Sequence, residues 1–243
     1  MLSSLLPPEV EVEECFGDPE DAVLMPGEEA VIARAVDKRR MEYITTRHLA
    51  RTALVRLGFP PVAIGTGANR EPLWPAGVVG SMTHCRGYRA AAVARVGSGG
   101  GAVGGAGSIG GSGGAGGVGA GLGGAGAVVG LGIDAEPHGP LPEGVFDTIA
   151  RPDELPALAE LAARNPQVRW DRLVFSAKES VYKAWFPVAR RWLGFGEASV
   201  DFTPLDEVSG TFSARIQQSG APITQMTGRW RIESGLVLTV VTL

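Results

Sequence analysis

The pattern of this chain predicts an α+β fold. Two long stretches, 38–58 and 171–186, repeat apolar residues at helical spacing, and short strand-like runs bounded by glycine and proline lie between and after them. Each half also places a helix before strands, which fits a pseudo-duplicated layout. Taken in order, a first helix is expected over 26–36. The second, 38–58, carries Tyr43, Ile44, Leu49, Leu54, Val55 and Leu57 on its apolar side and stops at Gly58, with Pro60 beyond. Segments 78–82 and 89–96 read as strands around a His84-Cys85-Arg86-Gly87 turn, and 128–133 as a further strand. A helix over 151–164 follows, then the helix 171–186. Four strands, 198–202, 210–217, 227–233 and 237–243, close the chain with turn residues between them.

Composition bounds the function only loosely. The 243 residues suffice for one large or two small cores, and the formal net charge of −4 does not favour nucleic acid. Basic residues nonetheless cluster at Lys38-Arg39-Arg40 and Arg190-Arg191, where they suit a phosphate, an acidic partner or plain solvent. Two cysteines, Cys15 and Cys85, make neither a disulfide framework nor a zinc site. Cys85 beside His84 lacks the surroundings of a cysteine hydrolase. The first residues lack the basic start and long apolar core of a signal peptide, so a cytoplasmic protein is expected.

The segment 97–127 is almost entirely Gly, Ala and Ser, with no charge and only Val103, Ile109, Val118 and Leu122 as bulky apolar residues. Glycine is a poor helix former and a poor anchor in lipid, and no spacing here matches a phosphate loop. A flexible, solvent-exposed loop is expected, since such a chain cannot bury enough apolar surface to order itself. If 89–96 and 128–133 pair as a hairpin, the segment is its expanded tip. Lengthening a loop costs little, because closure entropy grows logarithmically.

Two acidic elements carry the chemistry. In Gly132-Ile133-Asp134-Ala135-Glu136-Pro137, a short apolar strand ends in two carboxylates at i,i+2, which point to one side. In Phe175-Ser176-Ala177-Lys178-Glu179-Ser180-Val181-Tyr182-Lys183-Ala184-Trp185, a carboxylate stands between two lysines, and Glu179 and Lys183 share a helix face. A Glu–Lys pair at that spacing is commonly a solvated face. Here the bulky neighbours Leu173, Val174, Phe175, Val181, Trp185 and Phe186 imply partial burial, and buried charges are costly unless paired or placed on a ligand. Three carboxylates with nearby lysines suit a divalent cation holding a diphosphate.

These two motifs, preceded by Gly80-Ser81-Met82-Thr83-His84-Cys85, resemble in order the three motifs of the 4′-phosphopantetheinyl transferases. The similarity is to the monomeric branch typified by the surfactin-synthetase-activating and enterobactin-synthetase-component-D enzymes. Trp74-Pro75, Trp185-Phe186-Pro187 and Arg191-Trp192-Leu193-Gly194-Phe195 look like its actinobacterial members. The resemblance covers nearly the whole chain except the glycine-rich segment. It implies two pseudo-duplicated lobes, each of helices on a small, mainly antiparallel sheet, with the active site in the cleft between them. The lobes are expected at 1–127, including the insert, and at 128–243.

The resemblance further implies transfer of the phosphopantetheine arm of coenzyme A to a serine of an apo acyl or peptidyl carrier protein, with release of 3′,5′-ADP. Asp134, Glu136 and Glu179 match the family's acidic set for magnesium, or manganese. Asp134, Glu179 and Lys183 are the catalytic candidates. Glu179 is also a candidate general base, directly or through a bound water, and a tight metal ligand is not easily a free base. Lys183 would face the diphosphate, whereas Lys178, about 100° around the helix, would touch phosphate or pair with an acid. Ser81 and His84 match the turn that contacts phosphate and nucleotide. Arg39 and Arg47 match positions that contact the 3′-phosphate, for which a planar guanidinium is suited. Relatives often hold a phosphate-contacting lysine before the Glu71-Pro72 turn. This chain has none there, so either Arg70 takes over that role or the contact is missing. Trp185, Phe186, Trp192 and Phe195 are either core or a docking surface.

A magnesium-dependent phosphohydrolase or nuclease using the same carboxylates is a second reading, and a non-catalytic coenzyme A or carrier-protein binding module a third. The ordered motifs disfavour the second. The intact Asp134, Glu136, Glu179 and Lys183 disfavour the third. Neither nucleic acid nor membrane is an expected partner, and a monomer is expected because the family's cleft lies within one chain.

Overall fold

The computed structural model describes residues 1–97 and 128–243, so the expected flexible segment lies, beyond Gly97, outside the described residues. The architecture is α+β, with helices packed on two antiparallel sheets. Strands β1 (Glu11–Phe16), β4 (Val78–Cys85) and β5 (Tyr88–Arg95) form the first, in the order β1-β5-β4. Strand β6 (Leu131–Pro137) begins the second, which runs β6-β10-β9-β8-β7 through β7 (Ala198–Pro204), β8 (Ser209–Ile216), β9 (Gln225–Glu233) and β10 (Leu236–Thr242). Two residues each from β2 (Gly65–Thr66) and β3 (Pro72–Leu73) make a small ribbon.

The two long helices form where the periodicity places them. Helix α2 (Asp37–Arg56) lays Leu49, Ala50, Ala53 and Leu54 against Val78, Ala91 and Val93. It ends in a Schellman turn: Phe59 N–H donates to Leu54 O and Gly58 N–H to Val55 O, with Gly58 at φ +85°. Strand β5 is buried on both faces, which explains its alanines. Ala91 and Val93 meet α2, while Ala90, Ala92 and Ala94 join Leu131, Ile133, Leu238 and Val240 in the core between the sheets. The β4–β5 hairpin pairs Cys85 with Tyr88 across Arg86-Gly87, as expected from the turn residues.

Several expectations shift. Helix α1 covers only Glu29–Ile32, because Gly27 at φ +98° and the extended Val36 bracket it. Helix α5 spans Trp170–Ala189 and passes through Pro187, whose missing N–H removes only one bond near the helix end. Helix α4 (Leu155–Arg164) is shorter than expected, and α3 (Val145–Ile149) and β1 carry no strong sequence pattern. The hairpin between the strands flanking the glycine-rich segment does not form. Strand β5 has β1 and β4 as neighbours and β6 pairs with β10, so among the described residues the backbone pairing between the flanks is a parallel bridge from Val96 to Val128.

Strands β4 and β6 lie side by side without a backbone ladder. The Ser81 hydroxyl accepts from Ile133 N–H at 3.1 Å and the Thr83 hydroxyl from Ala135 N–H at 3.1 Å, joining the two sheets by side chains. Across β6, α5 packs so closely that a Cβ at Gly132 would lie 1.9 Å from Ser180 O, and one at Gly130 would lie 2.5 Å from Ala184 O. The two glycines therefore set the distance between the acidic strand and the Lys–Glu–Lys helix. Replacing Gly132 by alanine is expected to cost about 1–3 kcal/mol, as overpacking does, and to lower the melting temperature by roughly 2–12 °C. A melt within 1 °C of wild type in a scanning-fluorimetry comparison would show that α5 is not seated on β6 as described.

Candidate active site

A cleft of about 890 Å³ lies between α2 with the β2–β3 ribbon on one side and the β6 end with α5 on the other. Arg39, Arg47, Arg70, Ser81, His84, Asp134, Glu136, Glu179 and Lys183 all line it. Helix α5 turns Leu173, Val174, Ala177, Val181 and Trp185 to the core and Phe175, Glu179, Tyr182, Lys183 and Phe186 to the cleft. That second set follows i, i+4, i+7 spacing and was legible as a face.

At the acidic end, Lys183 Nζ donates to Asp134 Oδ1 at 2.8 Å and to Ile133 O at 3.0 Å. Burial opposes its charge, but Asp134 first, then Glu179 and Glu136, raise the ammonium above the ordinary lysine value. Burial likewise lifts the Glu136 carboxyl to about 7, with Asp134 adding to the rise and Arg172 opposing it. Glu179 is raised chiefly by burial, an effect that Lys183 opposes and Asp134 reinforces. Arg172, not singled out from the sequence, donates from Nη1 to Glu136 Oε2 at 3.1 Å. Its position two turns before Glu179 was the available signal. Thr83 was also missed: it is i+2 from Ser81 on β4, and its hydroxyl donates to Asp134 Oδ1 at 3.3 Å.

Among the described residues, no three of His, Cys, Asp and Glu converge as a metal-binding group. Asp134, Glu136 and Glu179, the expected magnesium set, line the cleft without converging into such a group. Side-by-side carboxylates repel, and the positive charge in their midst is Lys183. The donor chemistry nevertheless fits a hard divalent cation. Asp134 Oδ2 is buried with no hydrogen-bond partner, and an orphaned buried carboxylate oxygen is costly.

At the other end, the Arg47 guanidinium stacks on Tyr43 at 3.2 Å, and burial lowers it to about 10, so it remains a cation at neutral pH. Arg39 contacts His84 Nε2, and His84 Nδ1 faces the buried Glu42 at 3.5 Å. Burial first, then Arg39, depress the imidazole to about 4, so it is neutral at pH 7. Nε2 then accepts from Arg39 and Nδ1–H points to Glu42. Arg70 lies exposed on the rim in a left-handed conformation, φ +67°. A depressed imidazole binds fewer protons in the folded chain than in the unfolded one. Its contribution to stability is present above pH 6.5 and is lost as pH falls through about 4. The difference in melting temperature between pH 7 and pH 4 is therefore expected to shrink in His84→Asn, and an unchanged difference would count against this state of the ring.

Lys178 does not reach the cleft. Its Nζ is buried and donates to Glu154 Oε2 at 2.7 Å, Ile149 O at 2.8 Å and Phe195 O at 3.1 Å, so of its two expected places it takes the acid, which corrects its assignment as a phosphate contact. The physical reason is the helix turn: one residue from Glu179 points into the core. Of the four aromatics, Trp185 and Phe186 are buried and Phe195 packs on Phe175, whereas Trp192 packs at a tilt against Tyr182, ring centroids 4.9 Å apart, while 67% exposed. Burial, reinforced by Glu136 and Asp134, pushes the Cys85 thiol up to about 12, so no thiolate forms there at neutral pH. No helix among the described residues is long and apolar enough to cross a membrane.

Comparison with known proteins meets this geometry. Residues 27–94 match the family model of the 4′-phosphopantetheinyl transferase N-terminal domain, and residues 130–240 match that of the 4′-phosphopantetheinyl transferase superfamily. The chain is 41% identical to the 4′-phosphopantetheinyl transferase Npt of Nocardia iowensis, with 99% of each protein covered. It is 43% identical to the 4′-phosphopantetheinyl transferase PptT of Mycobacterium tuberculosis, with 95% of this chain and 90% of that protein covered. It is 44% identical to the 4′-phosphopantetheinyl transferase Svp of Streptomyces mobaraensis, covering 99% of this chain and 88% of the other. With both halves of the chain matched and the acidic strand, the Lys–Glu–Lys helix and the basic wall meeting in one cleft, this protein is an enzyme of the 4′-phosphopantetheinyl transferase family.

Proposed function

We propose that the protein uses this cleft to move the phosphopantetheine arm of coenzyme A onto a serine of apo acyl or peptidyl carrier proteins, releasing 3′,5′-ADP. The observation that carries the reading is the convergence of cations and carboxylates from α2, the β2–β3 ribbon, β6 and α5 on one cavity. Arg39, Arg47 and Arg70 stand on one wall, and Asp134, Glu136 and Glu179 around Lys183 stand on the other. The basic wall binds the nucleotide phosphates, and His84, neutral, orients Arg39 toward them. Asp134, Glu136 and Glu179 would hold magnesium or manganese, which when bound neutralises charge on the diphosphate. Lys183 offers its ammonium to the leaving phosphate. Glu179, whose carboxyl burial raises from its ordinary value, is suited to take the proton from the attacking serine, directly or through a bound water. The cleft is built from residues on both sides of the glycine-rich segment, in keeping with a lobe at 1–127 and a lobe at 128–243; the protein is read as a cytoplasmic monomer whose partners are coenzyme A and the carrier protein.

Intact-protein mass spectrometry of an apo carrier protein, incubated with this enzyme, coenzyme A and magnesium, tests the reading. A mass gain equal to phosphopantetheine, lost when the metal is chelated, is the expected result. Phosphate release from coenzyme A without a carrier would instead favour a hydrolase.

A further inference from the structure

The Glu28 carboxylate is fully buried although it touches no cleft residue that carries the proposed chemistry. It accepts from Arg51 Nη1 at 3.0 Å through both oxygens, from Met25 N–H at 2.9 Å and from Ile64 N–H at 2.8 Å. Arg51 also donates to Val23 O. Such a buried pair is a weak source of net stability and is better explained by what it holds in place. What it holds is residue 64. The carbonyl of Ile64 accepts from Arg47 Nε at 3.0 Å, and two residues on, the Thr66 hydroxyl accepts from Arg47 Nη2 at 2.8 Å. Tyr43 closes the cradle by stacking on the guanidinium. Arg47 Nη1 has no hydrogen-bond partner among the described residues, and Arg47 lines the cleft.

We propose that the buried Glu28–Arg51 pair is a positioning device for Arg47: through Ile64 and Thr66 it aims the one remaining guanidinium nitrogen, and so sets the preference for coenzyme A bearing its 3′-phosphate. A guanidinium on a flexible stem loses rotamer freedom each time it binds a phosphate. One already held by two hydrogen bonds and a ring face has lost it beforehand. The inference rests on the reading of Arg47 as a 3′-phosphate ligand.

The test is the ratio of affinities for coenzyme A and 3′-dephospho-coenzyme A, measured calorimetrically for wild type, Arg47→Met, Glu28→Gln and Thr66→Val. Wild type is expected to prefer the 3′-phosphorylated ligand. Arg47→Met should abolish the preference, and Glu28→Gln and Thr66→Val should reduce it about tenfold while leaving the dephospho-ligand unaffected. If Glu28→Gln does not fold, the double variant Glu28→Gln/Arg51→Met, which leaves no uncompensated buried charge, takes its place. An unchanged ratio in Arg47→Met removes the 3′-phosphate reading and the inference with it. A lost ratio in Arg47→Met with an intact one in both Glu28→Gln and Thr66→Val overturns the positioning role alone. Equal loss of both ligands in those variants also overturns it, because that is what general loosening of the fold produces.

Discussion

Glu179→Gln is expected to slow phosphopantetheine transfer by about 10²–10⁴-fold, the range associated with a positioned acid or base. The substitution keeps the side chain's shape and removes its charge. Three consequences follow from its setting in the cleft beside Lys183 and Asp134. The serine proton loses its acceptor. One of three carboxylates proposed to hold the cation is lost, so more metal is needed for half-maximal rate. Stability should hold or rise, because burial already penalises the Glu179 charge and Asp134 repels it. Single-turnover mass spectrometry at several magnesium concentrations, with a thermal melt alongside, reads all three. A rate within a factor of about three of wild type would remove Glu179 from the chemistry, since an active-site base contributes far more.

Lys178→Ala is the second large effect, and it falls on stability. Glu154 Oε2 is left without its 2.7 Å cationic partner in a site where both side chains are 2% exposed. Removing one member of a buried pair costs about 3–5 kcal/mol, which for a chain of this size lowers the melting temperature by roughly 6–20 °C. Burial already lowers the Lys178 ammonium, an effect that Glu154 opposes, so the pair survives because each partner answers the other. The same carboxylate accepts from Val200 N–H at 2.7 Å and Arg151 N–H at 2.6 Å, so the loss reaches the segment before α4 and the start of β7. Affinity of the folded fraction for coenzyme A should not change. A stable Lys178→Ala protein that binds coenzyme A poorly would return Lys178 to the phosphate. Lys178→Met with Glu154→Leu should recover much of the lost stability, because no charge is then stranded.

The contrast between Glu179 and Lys178 shows where sequence reasoning reached and where it stopped. Helical periodicity places both on α5 and separates them by one residue. It does not say which of the two faces the cavity until the packing partners are known. Once Leu173, Ala177, Val181 and Trp185 are seated on the core, the rotation of α5 is set. Glu179 and Lys183 then face Asp134, and Lys178 faces Glu154. The other misplacements have the same origin. Ser81 and Thr83 could be read as a polar strand face, but not as the hydroxyls that join β4 to β6. Thr83 and Asp134 are 51 residues apart, and no local rule relates them.

By itself the sequence determined the two long helices, the β4–β5 hairpin, the acidic strand, and nine of the ten residues named for the cleft, all but Lys178. The helices, the hairpin and the pairing of Asp134 with Glu136 and of Glu179 with Lys183 rest on spacing within a turn or a strand, where neighbours along the chain decide the outcome, whereas Arg39, Arg47, Arg70, Ser81 and His84 came from the family resemblance. Only the tertiary structure decided that β5 and β6 do not form a hairpin, that Glu28 reaches Ile64, and that Gly130 and Gly132 let α5 rest directly on β6. Those contacts join segments far apart in the chain, and excluded volume and the satisfaction of buried polar groups select them once the whole core is assembled.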